Sequence, residues 1–389
     1  MKILISSDTY YPHVNGASYF TQRLAYYLKE QGHDVLVIAP ATKFGFENAN
    51  FNGVRMFGVP SIPIMSFGFR VVIPVMIQDR ITQTIKEFNP DVVHLQGHFA
   101  VSKKVIKGVK KHNKETPIVG TNHFMPENLI HYLHLPKSLE KKVMDYSWND
   151  FRKVFDPLNA VTTPTESAAK LVRGHGFSQE VRAISCGIDL TQFNSNKKDE
   201  TIRAKYNLPN KPLLLYVGRL DKEKNVDQLL QAIKLVPQNV NFHFAIGGKG
   251  QEQVRLQKLA TKLDILDRVT FLGFVPDEDL PALYAISKCF TIACMAELQC
   301  IVVMEAMASG LPIIAVNALA LPELVHDGEN GFLFEPGDIK TIAEKITLLF
   351  TDENLRVQMG AKSLDIINPH GIKSTIGEFE AIYTRVTKK

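Results

Sequence analysis

Cysteine is scarce in this 389-residue chain. Its four cysteines, Cys186, Cys289, Cys294 and Cys300, include no CxxC pair. That argues against a disulfide framework, a zinc site or a thioredoxin-type motif. Long apolar runs are missing too. The greasiest stretch, 71–77, falls far below the ~18 residues that would span a bilayer. The apolar start stops at Ser6-Ser7-Asp8, too early for the h-region of a secretory signal. Neither GxGxxG nor a P-loop occurs, so NAD and P-loop chemistry lose their signatures. A cytoplasmic protein with reduced thiols is expected, with peripheral attachment to the inner face of the cell membrane as the further option.

What the chain does have is a globular composition, 45% apolar and 22% charged, and a repeated rhythm. Short β-rich runs at 2–6, 35–39, 91–95, 117–120 and 160–163 alternate with amphipathic helical stretches such as 18–31. After the polar run 194–199 the rhythm restarts, with strands expected at 212–217, 240–246, 268–274, 289–293, 311–316 and 331–334. Helices are expected at 226–235, 251–263, 304–308, 339–349 and 374–384. Strands alternating with helices predict parallel β-α-β units and an α/β fold of two doubly wound domains. The boundaries expected are 1–195 and 196–369, with a last helix, about 370–389, packing back on the first domain. Ligands of such sheets bind beyond the strands' carboxyl ends.

Charge is uneven. Residues 1–195 carry 22 Lys+Arg against 16 Asp+Glu, and the remainder 23 against 24. A basic first half suggests an anionic partner. The stretch 101–113 is helical in pattern. Lys103, Lys104, Lys107, Lys110, Lys111 and Lys114 fall on one side of it, opposite Val101, Val105, Ile106 and Val109. Such a face suits either an anionic lipid surface or the plain solvated side of a helix packed on the sheet. Lys137–Arg152 and Lys153 add charge, and Trp148, the only tryptophan, fits either a membrane interface or a plain core position. No nucleic-acid recognition motif accompanies the charge, so no nucleic-acid partner is expected.

Two glutamates, Glu297 and Glu305, stand either side of seven residues in the run 296–312. Glu297 falls in a strand-to-helix loop and Glu305 on the helix that Gly310 ends. A helix N-terminus there offers free N–H groups and a positive dipole end to an anion. This run resembles the E-x7-E segment of retaining nucleotide-sugar glycosyltransferases of family 4. Gly218-Arg219-Leu220-Asp221-Lys222-Glu223-Lys224-Asn225 is similar to that family's "GRL…EKG" segment. The stretch 271–276 is similar to its "FLGxV" segment, Leu321-Pro322-Glu323-Leu324-Val325 with 328–331 to its "PE-[IL]-V…G-x-x-G" tail, and Tyr11-Pro12-His13-Val14-Asn15-Gly16 to its glycine loop after strand one. The segments come in order and span almost the whole chain.

The resemblance implies the GT-B fold, two Rossmann-like domains facing across a cleft. It implies that Arg219 and Lys224 bind the donor diphosphate, that Glu305 takes the ribose hydroxyls and that Glu297 lies against the donor sugar. Leu298, Gln299, Cys300 and Ile301 would offer backbone amides to sugar and phosphate, and Val275 would contact the base. His123, at the end of a strand, would reach a hydroxyl of the transferred sugar. Asn15 and Gly16 would let the backbone approach the diphosphate. His98 is assigned to the acceptor side, with Lys103, Lys107, Lys110 and Lys114 on the membrane side. The family usually has Gly-Gly at Asn15-Gly16, and many members have glycine at Cys300; a side chain there narrows the site or changes the local backbone.

No metal and no cofactor are expected, only a nucleoside-diphosphate sugar, most simply of UDP, as co-substrate. Asp277-Glu278-Asp279 is read as helix N-terminal charge rather than a metal-binding DxD. The implied reaction moves a hexose with retention to a hydroxyl, for which a membrane glycerolipid such as diacylglycerol is expected. The alternatives are a polysaccharide or soluble-glycoside transferase, a sugar-nucleotide epimerase, and a non-catalytic nucleotide-sugar binding module.

Overall fold

A computed structural model describes residues 1–12, 15–64, 69–73, 75, 77–126 and 136–388. The chain divides into two compact units, Met1–Cys186 with Lys373–Lys389, and Gly187–Ile372. The first joint therefore precedes the polar run 194–199 that suggested a linker. That run is an ordered turn: Asn194 accepts a hydrogen bond from the Asn196 amide at 3.0 Å and starts a 3-10 turn over Ser195–Lys197. Asn and Asp side chains satisfy nearby backbone groups, so a polar stretch need not be flexible.

The first unit is built on an eight-stranded sheet. In spatial order its strands are Val181–Ala183, Ala160–Thr163, Ile118–Thr121, Val92–Leu95, Lys2–Ser6, Asp34–Pro40, Val54–Val59 and Glu47–Phe51. All pairs are parallel except the last, a hairpin closed by Asn52-Gly53 with φ of 50° and 77°. Asn-Gly is the favoured pair for such a two-residue turn; that dipeptide was the signal for a hairpin the strand-helix rhythm passes over. The central strands are buried on both faces, which is why they read as continuous apolar runs. Helices Gln78–Phe88 and Ala100–His112 pack closely, and a Cβ at Gly108 would stand 2.7 Å from Ile85 Cδ1.

The helix Ile372–Thr387 belongs to this first unit. Thr375 Oγ1 donates to the Ser185 carbonyl at 3.0 Å, and His33 Nε2 lies 2.7 Å from Glu380 Oε1. The second unit holds a six-stranded, wholly parallel sheet: Val269–Gly273, His243–Gly247, Leu213–Val217, Cys289–Ile292, Ile313–Val316, Gly331–Phe334. One helix, Glu353–Ile367, lies where the sequence pattern shows none; it buries only Met359, Gly360, Ser363 and Ile367, too thin a stripe to read.

Each sheet has a point where the strand order reverses. In the second it falls between Leu213–Val217 and Cys289–Ile292, and in the first between Lys2–Ser6 and Val92–Leu95. Open α/β sheets bind ligands beyond the carboxyl ends at such points. The sequence motifs lead out of these strands.

Candidate functional site

In the second unit, Arg219 and Lys224 follow the strand Leu213–Val217, and Glu297 follows its neighbour Cys289–Ile292. The fold joins these two segments: Lys224 Nζ donates to Glu297 Oε1 at 2.7 Å and lies 3.5 Å from Cys294 Sγ. Burial alone would lower the lysine's pKa, but the adjacent carboxylate outweighs it and holds the ammonium well above its usual value. Arg219 is gripped by Asp221, and by Glu223 Oε1 at 2.7 Å. Asp221 also accepts from the Gln251 amide at 3.1 Å, which ties the Arg219 turn to the loop after the next strand. That loop needs glycine, since a Cβ at Gly248 would stand 1.8 Å from the Gly218 carbonyl oxygen. Asn225, where the family segment ends in glycine, has φ 50°, a conformation asparagine tolerates better than most residues.

Both cations thus sit against carboxylates, Arg219 against two from its own loop and Lys224 against one from the loop after the neighbouring strand. Asp221 and Glu223 were not singled out by sequence reasoning, although their spacing from Arg219 was in view. An incoming anion has to share or displace these partners.

The helix Ile301–Ala308 begins beside this cluster, with Cys300 as its N-cap residue. Cys300 adopts φ −88°, an ordinary backbone conformation, and its side chain is buried in the apolar core. A side chain at this position therefore forces no unusual φ. Burial raises the Cys300 thiol well above its usual range and pushes Cys294 up to about 12. On the helix, Glu305 is buried and its Oε2 accepts from the Tyr284 hydroxyl at 3.0 Å. Leu298 and Gln299 lie in the loop before Cys300, with Gln299 buried. Val275 is buried, next to half-exposed Phe274. Asp279 stands at the N-cap position of helix Leu280–Ile286, the helix start the charge reading expected, but its side chain bonds no helix amide. It binds Lys205 Nζ at 2.6 Å and the Tyr206 hydroxyl at 2.5 Å instead.

In the first unit, Asn15 is the N-cap of helix Gly16–Glu30: Oδ1 accepts from Ser18 N at 2.9 Å and Nδ2 donates to Thr9 Oγ1 at 2.8 Å. This capping role explains asparagine in place of the first glycine. His13 and Val14 lie outside the described residues. His123 follows strand Ile118–Thr121; its Nε2 is 2.8 Å from Gln96 Oε1 and its ring 4.8 Å from Phe20. Burial lowers its pKa to about 3, so the ring is neutral at physiological pH.

His98 is not presented at the surface. It packs among Phe99, Phe124 and Phe151 and is only 1% exposed. Burial lowers its pKa to about 4 against the opposing pull of Asp150. The lysine helix Ala100–His112 keeps Lys107, Lys110 and Lys111 exposed. Lys103 is paired with Asp150 at 2.7 Å, and Lys114 lies beyond the helix end rather than on its face. Trp148 is not interfacial. It is buried and stacked on His175 with ring centroids 3.9 Å apart. Helix Lys137–Phe155 turns this ring inward with Phe151 and Phe155, in the first unit's core. Among the described residues, no helix is long and apolar enough to cross a membrane.

The chain matches the family model described as Glycosyl transferases group 1 over residues 198–364, and that described as Glycosyltransferase Family 4 over residues 14–192. It is 26% identical to the sulfoquinovosyl transferase SQD2 of Arabidopsis thaliana, covering 90% of this chain and 66% of that protein. It is 25% identical to a GDP-mannose-dependent alpha-mannosyltransferase of Mycobacterium tuberculosis, covering 100% and 98%. It is also 25% identical to the alpha-monoglucosyldiacylglycerol synthase of Streptococcus pneumoniae, covering 86% and 75%. Among solved structures, sucrose-phosphate synthase of Thermosynechococcus elongatus superposes with a TM-score of 0.82 at 19% identity, covering 100% and 99%. Anabaena HepE in complex with UDP gives 0.77 at 20% identity, covering 99% and 100%.

Proposed function

Starting from a chain that belongs to the group 1, family 4 glycosyltransferases and has their GT-B fold, we propose a retaining, metal-independent hexosyl transfer. The donor is a nucleoside-diphosphate hexose, with UDP as the nucleotide, and the acceptor is a hydroxyl of a membrane glycerolipid such as diacylglycerol. The observation that carries this reading is the Lys224–Glu297 contact, which brings two motif segments together where the second sheet reverses its strand order. In the proposal, Arg219 and Lys224 turn from their carboxylates to the diphosphate and stabilise charge growing on the leaving oxygen. The N-terminal amides of helix Ile301–Ala308 add to that field. Glu305, held by Tyr284, accepts from the ribose hydroxyls. Neutral His123 contacts a sugar hydroxyl, a role for which a charged ring is unnecessary.

The nucleotide assignment draws support from the UDP complex of HepE, and the acceptor from the diacylglycerol product named for the pneumococcal relative. Exposed Lys107, Lys110 and Lys111, and exposed Ile62 and Val71 on the hairpin Ser61–Ile64/Phe69–Val72, suit an anionic membrane surface. Thermal-shift screening of UDP-, GDP- and ADP-hexoses, followed by product analysis with diacylglycerol vesicles, tests the proposal. A stabilising UDP-hexose and a glycosylated lipid with the donor's anomeric configuration are expected. Free nucleotide released without an acceptor would point to epimerase chemistry, and transfer only to soluble saccharides would remove the lipid.

A further inference from the structure

One buried histidine, His94, has no part in the proposed reaction, yet its contacts run to the histidine that does. His94 lies on strand Val92–Leu95 and is fully buried. Its Nδ1 is 2.6 Å from the Tyr383 hydroxyl, on helix Ile372–Thr387. Its Nε2 is 2.7 Å from Thr121 Oγ1, Thr121 Oγ1 is 2.7 Å from Thr162 Oγ1, and Thr162 Oγ1 reaches the Gly120 carbonyl at 3.4 Å.

The hydrogens in this chain have one arrangement that satisfies every member. Gly120 O can only accept, so Thr162 donates to it. Thr162 then accepts from Thr121, and Thr121 accepts from His94 Nε2–H. That leaves His94 Nδ1 to accept the Tyr383 proton. The reverse direction would strand the Tyr383 proton in a buried site, a cost of ~1–3 kcal/mol. The tautomer of His94 is thereby set from the far end of the chain.

The next rung of the same ladder is Gln96–His123. Gln96 lies two residues beyond His94, and His123 two beyond Thr121, across the parallel pair that aligns His94 with Val119. A second path is apolar. Phe379, one helical turn before Tyr383, packs on His94 at 5.1 Å and on Phe20 at 5.9 Å, and Phe20 packs on His123 at 4.8 Å.

We propose that Tyr383 is a positioning residue for His123. Through His94 and Thr121, and through the Phe379–Phe20 contact beside it, the last helix of the chain sets the place and orientation of the His123 ring. The inference rests on the proposed contact of His123 with the transferred sugar. A ring displaced by about 1 Å costs up to ~10²-fold in rate, so loss of one link in a packed site is expected to cost less.

The test is a double-mutant cycle on the full chain, with hexosyl transfer from UDP-hexose to diacylglycerol as the assay and UDP binding measured alongside. Tyr383→Phe keeps the ring and removes the donor. It is expected to lower kcat about tenfold, with the dissociation constant for UDP unchanged, because the proposed diphosphate cations lie in the other unit. His123→Ala is expected to lower kcat further, and in that background Tyr383→Phe is expected to add nothing. Thr121→Val, which breaks the same chain two links on, is expected to repeat the pattern and serves if Tyr383→Phe folds poorly. Wild-type kcat in both link variants, or effects that multiply with that of His123→Ala, would overturn the positioning role alone. Wild-type kcat in His123→Ala would instead overturn the sugar contact on which the inference stands.

Discussion

The two units present opposite chemistry at the carboxyl ends of their sheets. In the second unit the side chains are charged and paired: Arg219 with Asp221 and Glu223, and Lys224 with Glu297. In the first they are neutral and buried: His94, His98 and His123, with Gln96 and Thr121. Charged pairs can be re-partitioned when an anion arrives, which suits a diphosphate. Neutral rings with set hydrogen-bond directions suit hydroxyl groups, which both donate and accept. The division of labour proposed for the reaction thus follows from which residues each sheet places beyond its strands.

Replacing the cations strikes hardest at this contrast. Arg219→Ala and Lys224→Ala are each expected to lower kcat/KM by about 10²-fold or more, and to weaken binding of UDP. His123→Ala is expected to lower turnover with UDP binding unchanged. Isothermal titration of all three variants checks both halves. Equal loss of nucleotide affinity in His123→Ala would erase the distinction between the units.

Acid should act on the first unit's neutral histidines next. Burial holds His94 and His123 at about 3 and His98 at about 4 in the folded chain. Their unfolded values lie near 6.5, so between those limits the unfolded chain binds more protons and stability falls with falling pH. For a ring like His94, about 2 kcal/mol is lost by pH 5. Asp8 acts the other way, since burial raises its pKa to about 6 and it gains stability on protonation. Glu378, raised by partial burial, acts with Asp8, and three histidines against these two carboxyls leave a net loss. Trp148 is the only tryptophan and belongs to the first unit's core. Its fluorescence should therefore report a lower melting temperature at pH 5 than at pH 7.5.

A smaller effect is expected at Glu223. Glu223→Gln removes one carboxylate from Arg219, and UDP should bind about threefold more tightly, in line with the modest worth of a partly exposed pair. Looser binding would mean that the carboxylate orients the guanidinium more than it competes with phosphate. The least change is expected at the thiols. With Cys294 and Cys300 buried and their pKa values raised, native protein at pH 7.5 should react with neither maleimide nor disulfide reagents at those positions, as peptide mapping would show.

The second unit's site was the more legible of the two in sequence. Its cations and glutamates occur in short segments, Arg219 to Asn225 and Glu297 to Glu305, whose spacing survives folding. The neutralising carboxylates were visible but could not be assigned, because spacing alone does not say which of several acids turns toward Arg219. The first unit's arrangement depends on long-range pairs. His94 and Tyr383 are 289 residues apart, and no local pattern connects them. Trp148 and the lysine helix show the same limit. Helical periodicity correctly put Lys107, Lys110 and Lys111 on an outer face, but it could not foresee Asp150 pairing with Lys103, or His175 covering the indole.

The last helix also constrains the order of assembly. On the ribosome the whole of the second unit emerges before helix Ile372–Thr387 does. Until then His94 and Phe20 lack their lid, and the first unit waits with part of its interior uncovered. A released chain truncated after residue 372 should therefore hold a finished second unit beside an unfinished first one, and a chaperone that binds apolar surface should find its target in the earlier-made half.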